Sequence, residues 1–253
     1  MHKNVRTPVA NLYRSHTFMS DQVTQALMGE RVEILDSQES WFKVRQWDNY
    51  ESWIHEFYLM DVDDNSADTY FFDRHTSQLI CNDGSETYLP FGVELPIVQR
   101  DENTVTVTLP WGDWGRCVLP SNQNIENKVE QLILNARKFN GVQYQWGGIS
   151  TFGCDCSGFV QTIFKSVELE LPRDSHQQFD ESQRVELQDV TKGDLIFFAE
   201  NVKIDHVAIS LGDSRIIHCS GFVKEESLNP SHSDYNAKLV SKFHAAISVK
   251  GLK

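Results

Sequence analysis

Short runs in which hydrophobic and polar residues alternate dominate the chain up to about residue 120. The segment 104–109, TVTVTL, alternates threonine with valine and leucine, the period-two pattern of a half-buried strand. Similar runs, ERVEILD, WFKVRQW and VELPIVQ, are separated by turn residues. The pattern predicts that this part of the chain is built from short β-strands.

The β-rich part repeats itself when it is shifted by 63 residues. The shift places Gly29 on Gly92 and Val44 on Val107, and no insertion is needed across this stretch. A chance match between strand patterns is one explanation, but two copies of one small β unit are the more economical one. We therefore predict β units over residues 1–62 and 63–121. The predicted links between domains are the acidic segment 61–68 and the polar segment 121–127.

From residue 125 the spacing of hydrophobic residues changes to three and four, the period of a helix with one apolar face. The positions are Ile125, Val129, Leu132, Ile133, Ala136 and Phe139. Asn140-Gly141 is predicted to end this helix, and a second helical pattern follows Gly153. The strand-like runs DLIFF, HVAISLG, RIIHCS and HAAISVK come next. Residues 122–253 are thus predicted to form an α+β domain around an antiparallel sheet.

Composition narrows the possible partners and the compartment. The net charge is −13, which argues against nucleic acid or an anionic membrane surface as the main partner, because both bind Lys/Arg-rich surfaces. No segment approaches the roughly 20 apolar residues of a membrane span. The beginning, MHKNVRTPVANLYRS, lacks the apolar core of a signal peptide, so the expected location is the cytoplasm. Five scattered cysteines do not resemble a disulfide framework, which agrees with a reducing compartment.

Cys156 stands where a glycine-containing turn, GCDCSGFV, runs into the second predicted helix. The beginning of a helix offers free N–H groups and a partial positive charge. Both favour a thiolate, so a lowered pKa is expected for Cys156. The same N–H groups can hold an oxyanion. The position therefore suits a nucleophile.

His206 and His218 are the candidate partners of that nucleophile. His206 begins the strand-like run HVAISLG and His218 lies near the end of RIIHCS. A hairpin centred near Gly212 would place the two residues opposite each other. One imidazole would then accept the proton of Cys156 while the other fixes its tautomer. The chain has nine histidines, and a surface or core role is the alternative at this point.

Six short motifs occur in order through the second half of the chain. They are YQWGG (144–148), DCSGF (155–159), LPRDS (171–175), GDLIFF (193–198), DHVAI (205–209) and IIHCSG (216–221). Together they make residues 122–253 resemble the NlpC-type cysteine peptidases, a papain-like family that hydrolyses peptidoglycan stem peptides. The segments ANLYRS, GERVEILD, WFKVRQW and ESWIHEFYL resemble the bacterial Src-homology-3-like barrel, and the second β unit resembles it more weakly.

The resemblance implies both a fold and a reaction. The expected fold is α+β, a papain-like catalytic domain with N-terminal helices packed on an antiparallel sheet, preceded by two small all-β Src-homology-3-like barrels. Cys156 is implied as nucleophile, His206 as base and His218 as the third catalytic residue. The implied substrate is the γ-D-glutamyl–diamino acid bond of a peptidoglycan stem peptide, and no metal or organic cofactor is needed.

Supporting roles are implied at six more positions, namely Tyr144, Trp146, Asp155, Ser157, Asp174 and Ser175. Tyr144 would offer its hydroxyl to the oxyanion, and Trp146 would wall the cleft. Asp155 and Ser157 flank the nucleophile, where they contact substrate or cap the helix. Family members that carry such barrels use the aspartate equivalent to Asp174 to bind the free amine of an L-Ala-γ-D-Glu end. The alternative for Asp174 is the N-cap of a short helix.

Some features leave more than one interpretation open. Cys154 has no implied family role, so it is either inert or able to form an oxidised pair with Cys156. A zinc site made of Cys154, Cys156, Cys219 and the two histidines matches no common spacing. The barrels either tether the enzyme to the wall or help it recognise the end of a short peptide. Trp47, Tyr50, Trp53 and Tyr58 are the residues expected to serve the second role, unless they form barrel core.

Two other classes of function are compatible with the same residues. One is a non-catalytic wall-binding protein, against which the intact Cys156, His206 and His218 argue. The other is a papain-like acyltransferase that passes the acyl group to an amine or a lipid instead of water. Recycling of wall fragments in the cytoplasm is the function that the sequence favours.

Overall fold

The computed structural model describes residues 1–61, 68–119, 125 and 127–252. The chain divides into two compact units, Met1–Asn124 and Ile125–Lys253. The domain boundaries predicted at residues 62/63 and 121/122 fall outside the described residues and stay predictions. Most of each predicted link between domains also lies outside them.

The first sheet of the N-terminal unit has seven antiparallel strands. They are β1 (His2–Val5), β2 (Val9–Tyr13), β3 (Gln22–Leu27), β4 (Arg31–Gln38), β5 (Trp41–Arg45), β6 (Glu51–His55) and β7 (Leu59–Asp61). Their order is β3-β2-β6-β5-β4-β1-β7, and a 3₁₀ turn over Glu56–Tyr58 joins β6 to β7. Apolar residues from every strand fill its core, including Val5, Leu12, Ala26, Val32, Val44, Ile54 and Leu59. Trp47, Tyr50, Trp53 and Tyr58 are all half-buried, and Tyr58 packs against this core.

The second sheet of this unit has six antiparallel strands. They are β8 (Thr69–Phe71), β9 (Thr76–Cys81), β10 (Glu86–Pro90), β11 (Glu94–Arg100), β12 (Thr104–Thr108) and β13 (Trp114–Val118). Their order is β10-β9-β13-β12-β11-β8. The segment TVTVT forms β12, which pairs with both β11 and β13, so it lies inside the sheet and not at its edge.

The predicted internal repeat is confirmed by the strand positions. The strands β4, β5 and β6 begin 63 residues before β11, β12 and β13. A β-bulge interrupts the equivalent hairpins, just after Ile34 and just after Ile97. Gly29 and Gly92 precede the matching strands with φ of 85° and 96°. That left-handed region favours glycine, which explains why the same residue stands at both positions.

The C-terminal unit begins with helices and ends with a sheet. The helices are α1 (Lys128–Arg137), α2 (Cys156–Lys165), α3 (Ser175–Gln178) and α4 (Ala237–Ser241). The short strands β14 (Ile149–Ser150) and β15 (Gly153–Cys154) pair with each other. The main sheet has the order β16-β21-β17-β18-β19-β20, with β16 (Arg184–Val185), β17 (Leu195–Glu200), β18 (Lys203–Gly212), β19 (Arg215–Ser220), β20 (Phe222–Ser227) and β21 (Phe243–Ile247).

The helices α1 and α2 form one part of the core of this unit, and Leu239 of α4 packs against another part, made of Ile196, Phe198, Ala208, Ile216 and Ala246. α1 packs against α2, and α2 packs against β18 and β19. The ring of Phe139, just beyond the end of α1, lies 5.5 Å from the ring of Phe159 on α2. Asn127 caps α1 by accepting a hydrogen bond from the N–H of Glu130 at 3.1 Å, so this helix begins later than the apolar pattern suggests. The predicted fold class, α+β with β-rich units before a papain-like domain, is confirmed. Within the described residues, no helix has the length and apolar character that crossing a bilayer requires.

Candidate active site

Cys156 is the first residue of α2, and Asp155 is the N-cap of that helix. The Asp155 carboxylate accepts a hydrogen bond from the N–H of Gly158 at 2.7 Å, as a cap should. The Cys156 side chain is buried. Its sulfur interacts with the backbone N–H groups of Ser157 and of Val207, which follows His206 on β18. The nucleophile candidate therefore lies beside the strand that carries the base candidate.

The imidazoles of His206 and His218 meet edge to face. Nε2 of His206 lies 2.8 Å from Nδ1 of His218, and the ring centroids are 5.0 Å apart at an interplanar angle of 76°. His218 is fully buried and His206 is half-buried. The structure thus brings the two predicted histidines together, and the residue after His206, Val207, interacts with the Cys156 sulfur through its N–H.

The hairpin register that was expected to pair these histidines is wrong. The turn contains two residues, Asp213 and Ser214, with φ of 50° and 60°, as in a type I′ turn. Gly212 is opposite Arg215, and a bulge follows before Ile209 pairs with Ile217. Gly212 is therefore the last residue before the turn and not its centre. His206 and His218 are therefore diagonal neighbours, and their side chains are long enough to meet across that spacing.

Burial dominates the protonation of the nucleophile and base candidates. It raises the pKa of the Cys156 thiol to about 12, the charge of Asp155 adds to the rise, and the N–H groups of Val207 and Ser157 oppose it. The expected lowering of this pKa by the helix N-terminus is therefore wrong, because desolvation of the thiolate is the larger effect. Burial also lowers the pKa of His206 to about 3. Without substrate, the site holds a neutral thiol and a neutral imidazole.

Glu226 on β20 is a site residue that the sequence analysis missed. Its Oε2 lies 2.8 Å from Nε2 of His218 and accepts a hydrogen bond from Nδ2 of Asn236, also at 2.8 Å. The Lys224 ammonium lies 3.3 Å from the other carboxylate oxygen. The segment FVKEES was not identified as a strand. Had it been paired with RIIHCS, the period of two would have placed Glu226 on the face of His218.

Arg173 is the second residue that was missed. It is almost fully buried, and its guanidinium donates to both carboxylate oxygens of Asp155, at 3.0 and 2.6 Å. It also donates to the hydroxyl of Ser157 at 2.9 Å. Asp155 and Ser157 are thus committed to an internal network, which favours capping over substrate contact for Asp155. The sequence signal was an arginine directly before Asp174 in LPRDS.

Tyr144 and Trp146 lie on the segment that leads into the β14–β15 hairpin. The N–H of Tyr144 donates to the carbonyl of Gly221 at 2.8 Å, and Tyr144 bridges to Cys154. Burial raises the pKa of the Tyr144 phenol, and the neighbouring Cys156 raises it further. The phenol therefore stays protonated and can donate a hydrogen bond. Trp146 is 64% exposed, as a residue lining an open cleft would be.

Asp174 occupies the N-cap position of α3, and Ser175 is the first residue of that helix. The N–H of Asp174 donates to Oε1 of Gln177 at 3.2 Å, so the capping alternative describes its backbone position. Gln178 ties the helix to the site by donating to the carbonyls of Ser157 and Pro172 at 3.0 and 2.9 Å. Asp174 and Ser175 are both half-buried. Their role toward substrate stays a prediction.

Comparison with known proteins agrees with this geometry. The sequence model of the NlpC/P60 family matches residues 141–243, and that of the bacterial SH3 domain matches residues 8–60. The γ-D-glutamyl-L-lysine dipeptidyl-peptidase of Bacillus subtilis (strain 168) is 30% identical over 213 residues, which cover 77% of this chain and 71% of that one. The chain belongs to the NlpC/P60 family of cysteine peptidases.

Other matches agree with membership of the NlpC/P60 family. The γ-D-glutamyl-L-lysine dipeptidyl-peptidase of Bacillus cereus (strain ATCC 10987 / NRS 248) is 31% identical over 220 residues, which cover 77% of this chain and 66% of that one. The chain thus spans about two thirds of the length of these relatives. The crystal structure of an NlpC/P60 family protein from Bacillus cereus ATCC 10987 superposes with a TM-score of 0.87 at 23% identity. The match covers 98% of this chain and 99% of that one, and it shows a shared fold.

Cys154, which has no implied role in the NlpC/P60 family, faces Cys219 rather than Cys156. The two sulfurs are 3.7 Å apart, both side chains are fully buried, and the Cys219 thiol donates to the carbonyl of Cys154 at 3.1 Å. All five cysteines of the chain are free thiols. The contact favours the inert interpretation of Cys154. In the described ranges, no three His, Cys, Asp or Glu side chains are grouped to hold a metal ion.

Proposed function

We propose that this chain hydrolyses the γ-D-glutamyl–diamino acid bond of peptidoglycan stem peptides and prefers fragments with a free N-terminus. The observation that carries the proposal is the placement of the Cys156 sulfur at the start of α2, beside the strand that carries His206, with His218 bonded to that imidazole. Two relatives named γ-D-glutamyl-L-lysine dipeptidyl-peptidase support the same bond. A dipeptidyl-peptidase acts near a chain end, which supports the preference for a free N-terminus.

The proposed reaction is acyl transfer to water. His206 accepts the proton of the Cys156 thiol as the sulfur attacks the γ-glutamyl carbonyl. The Cys156 N–H and the Tyr144 hydroxyl donate to the oxyanion of the tetrahedral intermediate. His206 then gives its proton to the departing amine of the diamino acid, which leaves a thioester on Cys156. Water, deprotonated by His206, releases the dipeptide acid and restores the thiol.

The neutral resting state makes the base necessary. A thiol with a pKa of about 12 carries almost no thiolate at neutral pH, so attack without proton acceptance would be slow. His218 favours formation of the His206 imidazolium. An unprotonated Nδ1 of His218 accepts the hydrogen bond from Nε2–H of His206. The thiolate formed in this step is stabilised by the N–H groups of Ser157 and Val207.

The proposal assigns recognition of the free N-terminus to Asp174. It also includes recycling of wall fragments in a reducing compartment such as the cytoplasm. The position of Asp174 supports its role, because Gln178 of α3 is hydrogen-bonded to the carbonyl of Ser157, next to the nucleophile. A carboxylate is the appropriate partner for an ammonium group. The buried thiol pair Cys154–Cys219 is compatible with a reducing compartment.

The test is mass spectrometry of products from a panel of stem peptides with lysine or diaminopimelate at the third position. We expect release of L-Ala-D-Glu and the corresponding C-terminal fragment. Cys156→Ala should lower turnover by about 10⁴-fold or more, because the nucleophile acts as part of a unit. Cys117→Ala is the matched control. It removes a buried thiol that lies in the N-terminal unit and not in the unit that contains Cys156, and it should retain activity.

The same panel separates the proposal from its alternatives. A hydrolase that acts on the intact wall would cleave polymeric peptidoglycan as well as it cleaves free peptides. An acyltransferase would form an amide product when a competing amine is added, at the expense of the free acid. A non-catalytic wall-binding protein would bind the peptides and release no product. Near-normal turnover by Cys156→Ala would show that Cys156 is not the nucleophile.

A further inference from the structure

Three side chains form a diagonal row across three neighbouring strands of the C-terminal sheet. His206 is on β18, His218 on β19 and Glu226 on β20. Nε2 of His206 lies 2.8 Å from Nδ1 of His218, and Nε2 of His218 lies 2.8 Å from Oε2 of Glu226. Both ring nitrogens of His218 are therefore engaged. The row ends on a carboxylate, the one member whose role as acceptor is fixed by its charge.

Each of the two hydrogen bonds in the row contains one proton, shared between its two heavy atoms. The carboxylate at the end of the row determines which atom carries each of these protons. An ionised carboxylate only accepts hydrogen bonds, so His218 must carry its proton on Nε2. In the neutral ring, Nδ1 of His218 is then an acceptor, and Nε2–H of His206 must be the donor to it. Nδ1 of His206 is left without a proton. That is the nitrogen able to accept the proton of Cys156.

We propose that Glu226 is a positioning residue that sets the tautomers of both histidines and so prepares His206 to act as a base. The inference deepens the proposed function and rests on it for its kinetic consequence. Glu226 touches neither Cys156 nor the reacting carbonyl in this scheme. It acts on the base through His218.

The surroundings of Glu226 keep its carboxylate charged and in place. Burial is the largest single influence and raises the pKa of Glu226, but hydrogen bonds from Asn236, His218 and Lys224 together hold it below the ordinary value. Asn236 also accepts a hydrogen bond from the N–H of Leu239 at 3.0 Å as the N-cap of α4. The Asn236 amide is thus anchored on one side and oriented toward Glu226 on the other.

The opposite tautomers would block the reaction. If His218 carried its proton on Nδ1, it would donate to Nε2 of His206, and Nδ1 of His206 would hold the proton instead. The base would then present an N–H to the thiol. Glutamine at position 226 can present either its carbonyl oxygen or its amide group to His218. Glu226→Gln therefore keeps the shape of the side chain but no longer excludes the inactive arrangement.

The direct test is the ¹⁵N NMR spectrum of ¹⁵N-histidine-labelled protein, in which protonated and unprotonated ring nitrogens have distinct shifts. In the wild-type chain at pH 7.5, His206 and His218 should both be Nε2–H tautomers. In Glu226→Gln, a second population with a protonated Nδ1 should appear for both rings. The matched control is Glu225→Gln, whose side chain is on the opposite face of β20 and bonds Arg137 at 2.9 Å. It should leave both spectra unchanged.

Kinetics provide the second measurement. Glu226→Gln should lower kcat by about 10- to 100-fold, the range typical for loss of a partner that orients a metal-binding histidine, while KM stays within about twofold. A solely structural role would lower the thermal midpoint without changing the histidine tautomers. Unchanged tautomers in a folded Glu226→Gln protein would overturn the inference.

The two proposals can fail separately. If the wild-type chain releases no product from any stem peptide, the proposed function fails, yet the NMR comparison still tests the effect of Glu226 on the histidines. If the wild-type chain is active and Glu226→Gln matches it in kcat and in tautomer, the proposed function stands and the role of Glu226 is wrong.

Discussion

Arg173 holds Asp155 through both carboxylate oxygens while Asp155 caps the helix that begins with Cys156. Two N–H···O contacts of 3.0 and 2.6 Å join a guanidinium and a carboxylate that are both almost fully buried. The carboxylate also accepts the N–H groups of Gly147 and Gly158, at 2.9 and 2.7 Å. One ion pair therefore joins the YQWGG segment, the nucleophile and the LPRDS loop.

Removal of this guanidinium should destabilise the protein strongly. Arg173→Met leaves the Asp155 charge buried with fewer partners, a change that typically costs about 3–5 kcal/mol. Urea unfolding followed by fluorescence measures the loss. Arg215→Met is the matched control, because Arg215 also pairs with an aspartate, Asp234, but both side chains are about one third exposed. The loss there should be much smaller, because an ion pair in contact with water contributes little to stability, and equal losses would contradict the role given to the buried pair.

The protonation of Cys156 predicts how alkylation depends on pH. Only the thiolate reacts with iodoacetamide, and burial raises the pKa of this thiol to about 12. The alkylation rate of the Cys156 peptide should therefore rise about tenfold per pH unit from pH 6 to pH 9. Protonation of His206 should add no inflection in that range, because its pKa is lowered to about 3. A rate that is already maximal at pH 6 would instead indicate a thiolate–imidazolium pair.

Tyr144 should contribute to the rate through its hydroxyl. Loss of one oxyanion donor typically lowers kcat by about 10²–10³-fold, and Tyr144→Phe removes only that donor. KM should change little, since the oxyanion forms in the transition state. Tyr88→Phe is the control, because Tyr88 is exposed on β10 in the N-terminal unit and bonds Glu86 at 3.0 Å. Equal activity of both variants and the wild type would exclude Tyr144 from the oxyanion site.

Periodic features of the structure were accessible from the sequence alone. The 63-residue repeat predicted equivalent strands, since hydrophobic alternation and a glycine before each hairpin recur at the same interval. The helix that carries Cys156 was predicted from its apolar face and the preceding turn. Local patterns suffice for such features because each depends on neighbours along the chain.

Features that depend on tertiary contact were not accessible in the same way. The hairpin register depended on a two-residue turn and a bulge that the apolar pattern does not reveal. The roles of Glu226 and Arg173 depend on partners on other elements. His218 is 8 residues from Glu226 in the sequence, and Asp155 is 18 residues from Arg173. The direction of the Cys156 pKa was missed because a helix N-terminus is visible in the sequence and burial of the thiol is not.

Selectivity for the substrate N-terminus tests the remaining candidate residue, Asp174. If its carboxylate binds a free α-amine, L-Ala-γ-D-Glu-diaminopimelate should be cleaved well and the N-acetylated peptide poorly. Acetylation removes the positive charge that the carboxylate would pair with. A site built for a polar group rejects an analogue that lacks it by about 10⁴-fold, whereas an apolar pocket discriminates by about 10- to 200-fold. The ratio of kcat/KM for the two peptides measures this selectivity.

Asp174→Asn should narrow the ratio, chiefly by slowing the free-amine peptide, because asparagine keeps the shape of the side chain and loses its charge. Asp180→Asn is the matched control. Asp180 lies on the segment after α3, and its carboxylate accepts hydrogen bonds from Ser182 instead. This control should leave the ratio unchanged. Equal rates on free and acetylated peptides by the wild-type chain would contradict both the role of Asp174 and the recycling function. A wall hydrolase with tethering β units would then be the better description, since its substrate is N-acylated wherever the peptide is still attached to the glycan.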